Sequence, residues 1–126
     1  MKIELSDIIQ KNNDVWVSFQ CEIGKAVAKW HGGIPVKNNE YVVELDFEDD
    51  LVFGENLFYT DKQTYNIFKR DDNITLIGVI TNIFDDQTAS FDLKQDSILI
   101  DYEGKLKEGE WIRIEVSQLD VYDTNI

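Results

Sequence analysis

The densest run of chemistry-bearing side chains lies between residues 44 and 55. Glu44, Asp46 and Glu48 occupy every second position, so an extended chain projects all three from one face, and Asp49, Asp50 and Glu55 follow closely. Carboxylates at this spacing suit three chemistries: oxygen ligation of a divalent cation, an acid–base pair, or an anionic surface that meets a basic protein. Asp46-x-Glu48-x-Asp50 lacks the next glycine and the distal bidentate glutamate of an EF-hand loop, which weakens the calcium reading. Paired carboxylates catalyse only where a cleft raises one of their pKa values, and a sequence displays no cleft. A solvated strand face that discourages edge-to-edge aggregation is the plain structural alternative.

Other reactive groups are few. His31 is the only histidine, so multi-histidine metal sites are excluded and any Ser-His-Asp or Cys-His arrangement would depend on this one ring. Beside Gly32 and Gly33 it reads as an ordinary loop histidine. Cys21 falls on an apolar strand face, where a thiol acts as a small hydrophobe with a raised pKa rather than as a nucleophile. A single cysteine also excludes an intramolecular disulfide. Gly104 and Gly109 have P-loop spacing, but Glu110 and Trp111 follow where Lys and Ser or Thr are required. Trp16 and Trp111 alternate with Ser18, Gln20, Arg113 and Glu115, which places both rings on polar, outward faces as anchors for a protein interface. The candidate binding set is therefore Asp46, Glu48, Asp49, Asp50, Glu55, Trp16 and Trp111, with no catalytic residue, no metal site and no cofactor expected.

Strands must position these groups, because period-2 alternation dominates the chain. Val15, Val17, Phe19, Cys21 and Ile23 share one face of a first strand. Gly24 marks a turn or bulge, and Ala26, Ala28 and Trp30 continue as a crowded, bent segment closed by the loop from His31 to Pro35. Tyr41, Val43, Leu45 and Phe47 alternate with Val42, Glu44, Asp46 and Glu48, giving a strand with an acidic outer face. A short strand from about Leu51 to Tyr59 and a helical turn or loop around Lys62 to Phe68 come next. Ile74 to Phe84 and Thr88 to Leu93 read as a hairpin, and Ser97 to Tyr102 and Glu110 to Val116 as further strands, with an edge segment at Leu119 to Tyr122. The helical candidate outside this series is an opening helix at Ser6 to Gln10. The expected fold is mainly β: residues 1–126 form a single domain, an antiparallel small barrel or a β-sandwich with at most one or two short helices.

Gly78-Val79-Ile80, Asn82-Ile83-Phe84, Ser97-Ile98-Leu99-Ile100 and Glu110-Trp111-Ile112-Arg113-Ile114 resemble the later strands of OB-like barrels, over roughly the last 50 residues. The resemblance implies a small closed barrel. Nucleic-acid-binding OB domains combine aromatic platforms with a basic groove, and here the charge is reversed.

The chain's 126 residues carry 25 Asp and Glu against 12 Lys and Arg, for a net charge of −13. Such a field repels phosphate backbones and anionic headgroups and attracts basic proteins, so neither nucleic acid nor membrane is an expected partner. At 43% hydrophobic and 12% aromatic residues the chain is too apolar to be disordered. The first ten residues lack the apolar run of a signal peptide, and a lone cysteine suits a reducing compartment, so a cytoplasmic location is expected. In size, acidity and lack of an active site the chain resembles the small bacterial immunity proteins that neutralise basic toxins. The leading expectation is a non-enzymatic acidic protein that binds a basic protein partner. The alternatives are an OB-like accessory domain that binds protein or peptide through its barrel face or strand edge, and a small metal-dependent hydrolase built on the acidic cluster.

Overall fold

The alternation is realised as strands throughout: in a computed structural model describing residues 1–85 and 87–126, no described residue is helical. No helix is therefore long and apolar enough to cross a membrane among the described residues. The first three strands form a meander, β1 (Lys2–Lys11), β2 (Asp14–Cys21) and β3 (Gly24–His31). Asn12 and Asn13 make the first turn at φ of 53° and 70°, the left-handed pair that two-residue hairpin loops require and that asparagine tolerates. β4 (Glu40–Asp46) returns antiparallel to β1, and β12 (Asp120–Asp123) lies between β4 and β3, antiparallel to the former and parallel to the latter. These five strands close into a barrel in the order β1-β2-β3-β12-β4.

Everything between β4 and β12 builds outward from that barrel. β7 (Asn66–Arg70) pairs parallel with β3 at Gly24 and Lys25, and β8 (Asn73–Asp85) pairs antiparallel with β7. β9 (Thr88–Asp92) pairs with the later stretch of β8 on the same edge as β7, and β11 (Trp111–Val116) runs along the opposite edge. β10 (Ser97–Glu103) follows β9, and the short β5 (Leu51–Val52) and β6 (Leu57–Tyr59) cap β10 and β11 respectively. At Gly24 the two parts meet closely: a Cβ there would stand 2.0 Å from the Ile67 carbonyl oxygen, and φ is +148°. Only glycine fits both demands.

A single apolar core runs through barrel and outer sheet. Leu5, Val17, Phe19, Ala28, Val43 and Val121 fill the barrel, and they are continuous with Leu76, Ile80, Phe91, Ile100, Ile112 and Ile114. Truncating a fully buried Phe19 or Phe91 to alanine in such a core costs about 3–5 kcal/mol.

The mainly β fold and the small barrel agree with the sequence reading, while three local expectations are corrected. Ser6 to Gln10 is strand, because Ile8 and Ile9 are held in the ladder with β2, and a bulge between Leu5 and Asp7 hides the alternation by shifting its parity. The Leu51 to Tyr59 segment is two short strands split by a turn, and a strand begins at Asn66 inside the segment read as helical turn or loop and runs on to Arg70. The closed barrel is built by the first four strands and the last one, so the late segments that carried the OB resemblance, β8, β10 and β11, lie outside it. Nor is the sheet wholly antiparallel, because β3–β12, β3–β7 and β5–β10 are parallel, joined by crossovers that local pattern does not reveal.

Candidate functional site: an acidic rim on the barrel

β4 buries Val43 and Leu45 and turns Glu44 and Asp46 outward, as its alternation dictates. Strand register extends that outer face across the barrel. Trp16 stands opposite Lys29, Lys29 opposite Asp120, and Asp120 opposite Asp46, which makes one row over β2, β3, β12 and β4. The next row sets His31 beside Tyr122 and Tyr122 beside Glu44.

After Asp46 the chain turns along the barrel's end. Glu48, Asp49 and Asp50 there line an open cavity of about 380 Å³, together with Ser117, Gln118 and Asp120. Asp49 is anchored by its Oδ2, which accepts from the Ser117 N–H at 3.0 Å. Asn56 ties the neighbouring turn to this segment: its Oδ1 accepts from Val52 N–H and its Nδ2 donates to the Asp50 carbonyl, both at 2.8 Å. That turn carries the exposed Glu55.

Asp120 is the buried member of the group, 5% exposed, and is satisfied by two donors. Its Oδ1 lies 2.8 Å from His31 Nε2 and accepts from Gln118 Nε2 at 3.0 Å. The His31 ring stacks on Tyr122 with centroids 4.3 Å apart and planes 11° from parallel. Burial pushes the Tyr122 phenol pKa up, and the charges of Asp120, Asp46 and Glu48 push it further against the opposing Lys29 ammonium. Three carboxylates and one lysine thus act on this phenol.

Elsewhere four carboxylates have cationic partners. Lys2 pairs with Glu40 at 2.7 Å, Lys29 with Asp14 at 3.5 Å, Lys94 with Glu22, and Arg113 with Glu115 at 3.6 Å. None of Asp46, Glu48, Asp49, Asp50 or Glu55 takes part in an ion pair among the described residues. No three His, Cys, Asp or Glu side chains among the described residues gather as metal ligands.

Asp46, Glu48, Asp49 and Asp50 therefore lie at one end of the barrel, with Glu55 on the turn tied to Asp50. Trp16 shares their outer face but stands across β3 and β12 from Asp46 and is half-buried. Trp111 belongs to the outer sheet, half-buried with its ring 4.9 Å from Tyr65. Asp120 and Tyr122 were missed by the sequence reading, since nothing local links β12 to β4. His31 ends a strand and is held by Asp120, not lodged in a free loop. Cys21 is unpaired, and burial raises its thiol pKa, which disfavours the nucleophilic thiolate.

No family model, curated protein or solved structure matches this chain.

Proposed function

We propose that this chain is a non-enzymatic acidic binding protein that docks a basic protein partner on the rim formed by Asp46, Glu48, Asp49, Asp50 and Glu55. The observation that carries the reading is the clustering of unpaired charge: Lys2, Lys29, Lys94 and Arg113 are engaged with other carboxylates, and none of the five rim carboxylates is in an ion pair among the described residues. Unneutralised carboxylates clustered on one face create a focused potential that raises the encounter rate of a cationic partner and rejects anionic ones. Trp16, on the same outer face beyond Lys29, supplies an aromatic contact at the margin of the docking area.

The strand order β1-β2-β3-β12-β4, with β3 and β12 parallel, favours an OB-like barrel as the scaffold. In such a scaffold acidic residues stand where a nucleic-acid binder needs cations, so the partner we assign is protein. Neutralisation of a basic toxin by a small cytoplasmic immunity protein is the specific role that this size and charge support best.

Isothermal titration with decalysine tests the reading. The rim variant Asp46→Asn/Glu48→Gln/Asp49→Asn/Asp50→Asn/Glu55→Gln should bind at least tenfold more weakly than the parent at low salt. A control that removes the same number of charges elsewhere, Asp14→Asn/Glu22→Gln/Glu40→Gln/Glu110→Gln/Glu115→Gln, should lose less than twofold. Equal losses in the two variants would show that total charge, not the rim, attracts the peptide.

A further inference from the structure

A groove of about 510 Å³ separates β4 from β10, and two open strand edges face it. On β4, Val43 exchanges both backbone bonds with Met1, at 2.8 and 2.9 Å. Leu45 is two residues further on, so its N–H and C=O point the same way, beyond the end of the β1 pairing. On β10, the Tyr102 N–H donates to Gln87 at 3.0 Å on the β9 side, and the Glu103 carbonyl accepts from Phe53 N–H at 2.9 Å on the β5 side. Leu99 has the parity of Glu103, so its backbone groups point to the edge that β5 covers only at Tyr102 and Glu103.

The groove is also chemically biased. Glu44, Asp46 and Asp96 line it, with Leu99 65% exposed and Tyr122 40% exposed among them. The Leu45 N–H donates to Asp96 Oδ2 at 3.4 Å, a long bond that the carbonyl of an incoming strand would displace. A second copy of this chain would bring carboxylate against carboxylate, whereas a segment bearing Lys or Arg meets opposite charge along both walls.

We infer that the groove between β4 and β10 takes an extended basic segment of the partner as an added strand, bonded to Leu45 on one side and Leu99 on the other. The inference rests on the rim reading for the sign of the partner's charge and adds the mode of engagement. Main-chain bonds supply affinity in such strand addition, and alternate side chains supply selectivity: basic ones toward Glu44, Asp46 and Asp96, apolar ones over Leu99 and Tyr122.

The probe is an octapeptide alternating Lys and Val, followed by NMR amide exchange. It should slow exchange of the Leu45 and Leu99 amides at least tenfold and bind at least tenfold more tightly than the same peptide with N-methylated valines. Leu99→Lys, at an exposed position that leaves the core intact, should weaken it at least tenfold. Equal binding of both Lys-Val peptides without protection of Leu45 and Leu99 would overturn strand addition while the rim reading stands, and no binding of the Lys-Val peptide would also overturn it. Protection by a Glu-Val octapeptide as strong as by Lys-Val would overturn the proposal by removing the charge preference on which it rests.

Discussion

Two acidic regions of this barrel use the same side chains in opposite ways. At the corner where the β2–β3 turn meets the segment between β9 and β10, Glu22 is gripped by Lys94 and Gln95, the Gln95 Oε1 lies 3.4 Å from the Lys2 N–H, and Lys2 pairs with Glu40. Glu22 thereby links the barrel to the segment between β9 and β10, while Glu40 pairs within the barrel. At the rim, Glu48, Asp49 and Asp50 line an open cavity with Ser117, Gln118 and Asp120, and no Lys or Arg is among its described lining residues. The net charge of −13 is thus a poor guide to surface potential, since the part that a partner senses is what remains after local pairing.

Reversing the open region should give the largest effect. Glu48→Lys/Asp50→Lys should lower decalysine affinity at least 100-fold at low ionic strength, read by calorimetry, because two attractions become two repulsions. A loss no greater than that caused by Glu22→Lys would erase the contrast between the regions.

Asp120 sharpens the comparison, since it lies on the rim's face yet behaves as a fastener. Asp120→Ala leaves His31 and Gln118 without their shared acceptor and should destabilise the fold by about 1–3 kcal/mol in denaturant unfolding. An unchanged midpoint would place Asp120 with the open carboxylates instead.

At the fastened corner, the Lys94 partner holds the Glu22 carboxyl below its ordinary pKa of 4.5. A depressed folded-state pKa means that its stabilisation is present above the unfolded value and is lost as pH falls through the folded one. Glu22→Gln should therefore melt slightly below the parent at neutral pH, and the two melting curves should converge in acid. Divergence on acidification would reverse the assignment. The smallest effect concerns Tyr122, whose phenol is raised first by burial and then by Asp120, Asp46 and Glu48. Asp46→Asn/Glu48→Gln should move its NMR titration part of the way back toward 10, with burial retaining the rest.

How much of this was legible depended on the range of the interactions involved. The acidic face of β4 was readable because Val43, Glu44, Leu45 and Asp46 state their alternation locally. β1 was obscured by its bulge at Ser6, and β5 to β7 are too short to carry a period, being held by partners such as Ile23, whose carbonyl accepts from the Ile67 N–H at 3.0 Å. The parallel β3–β12 pairing that closes the barrel, and with it the His31–Asp120 contact, joins residues 89 apart and leaves no local trace. Which carboxylates stay unpaired was illegible for the same reason, since Lys94 could be matched to Glu22 only once the two sheets were in place.

The most direct measurement of the central claim is NMR relaxation enhancement of backbone amides by a cationic nitroxide, referenced to a neutral nitroxide of the same size. The cationic probe should concentrate at residues 46–50 and 117–120, exceed its enhancement at Glu22 and Glu40 severalfold, and lose that excess as salt rises past the range where the Debye length is about 10 Å. Equal enhancement at the rim and at the fastened corner would contradict the account.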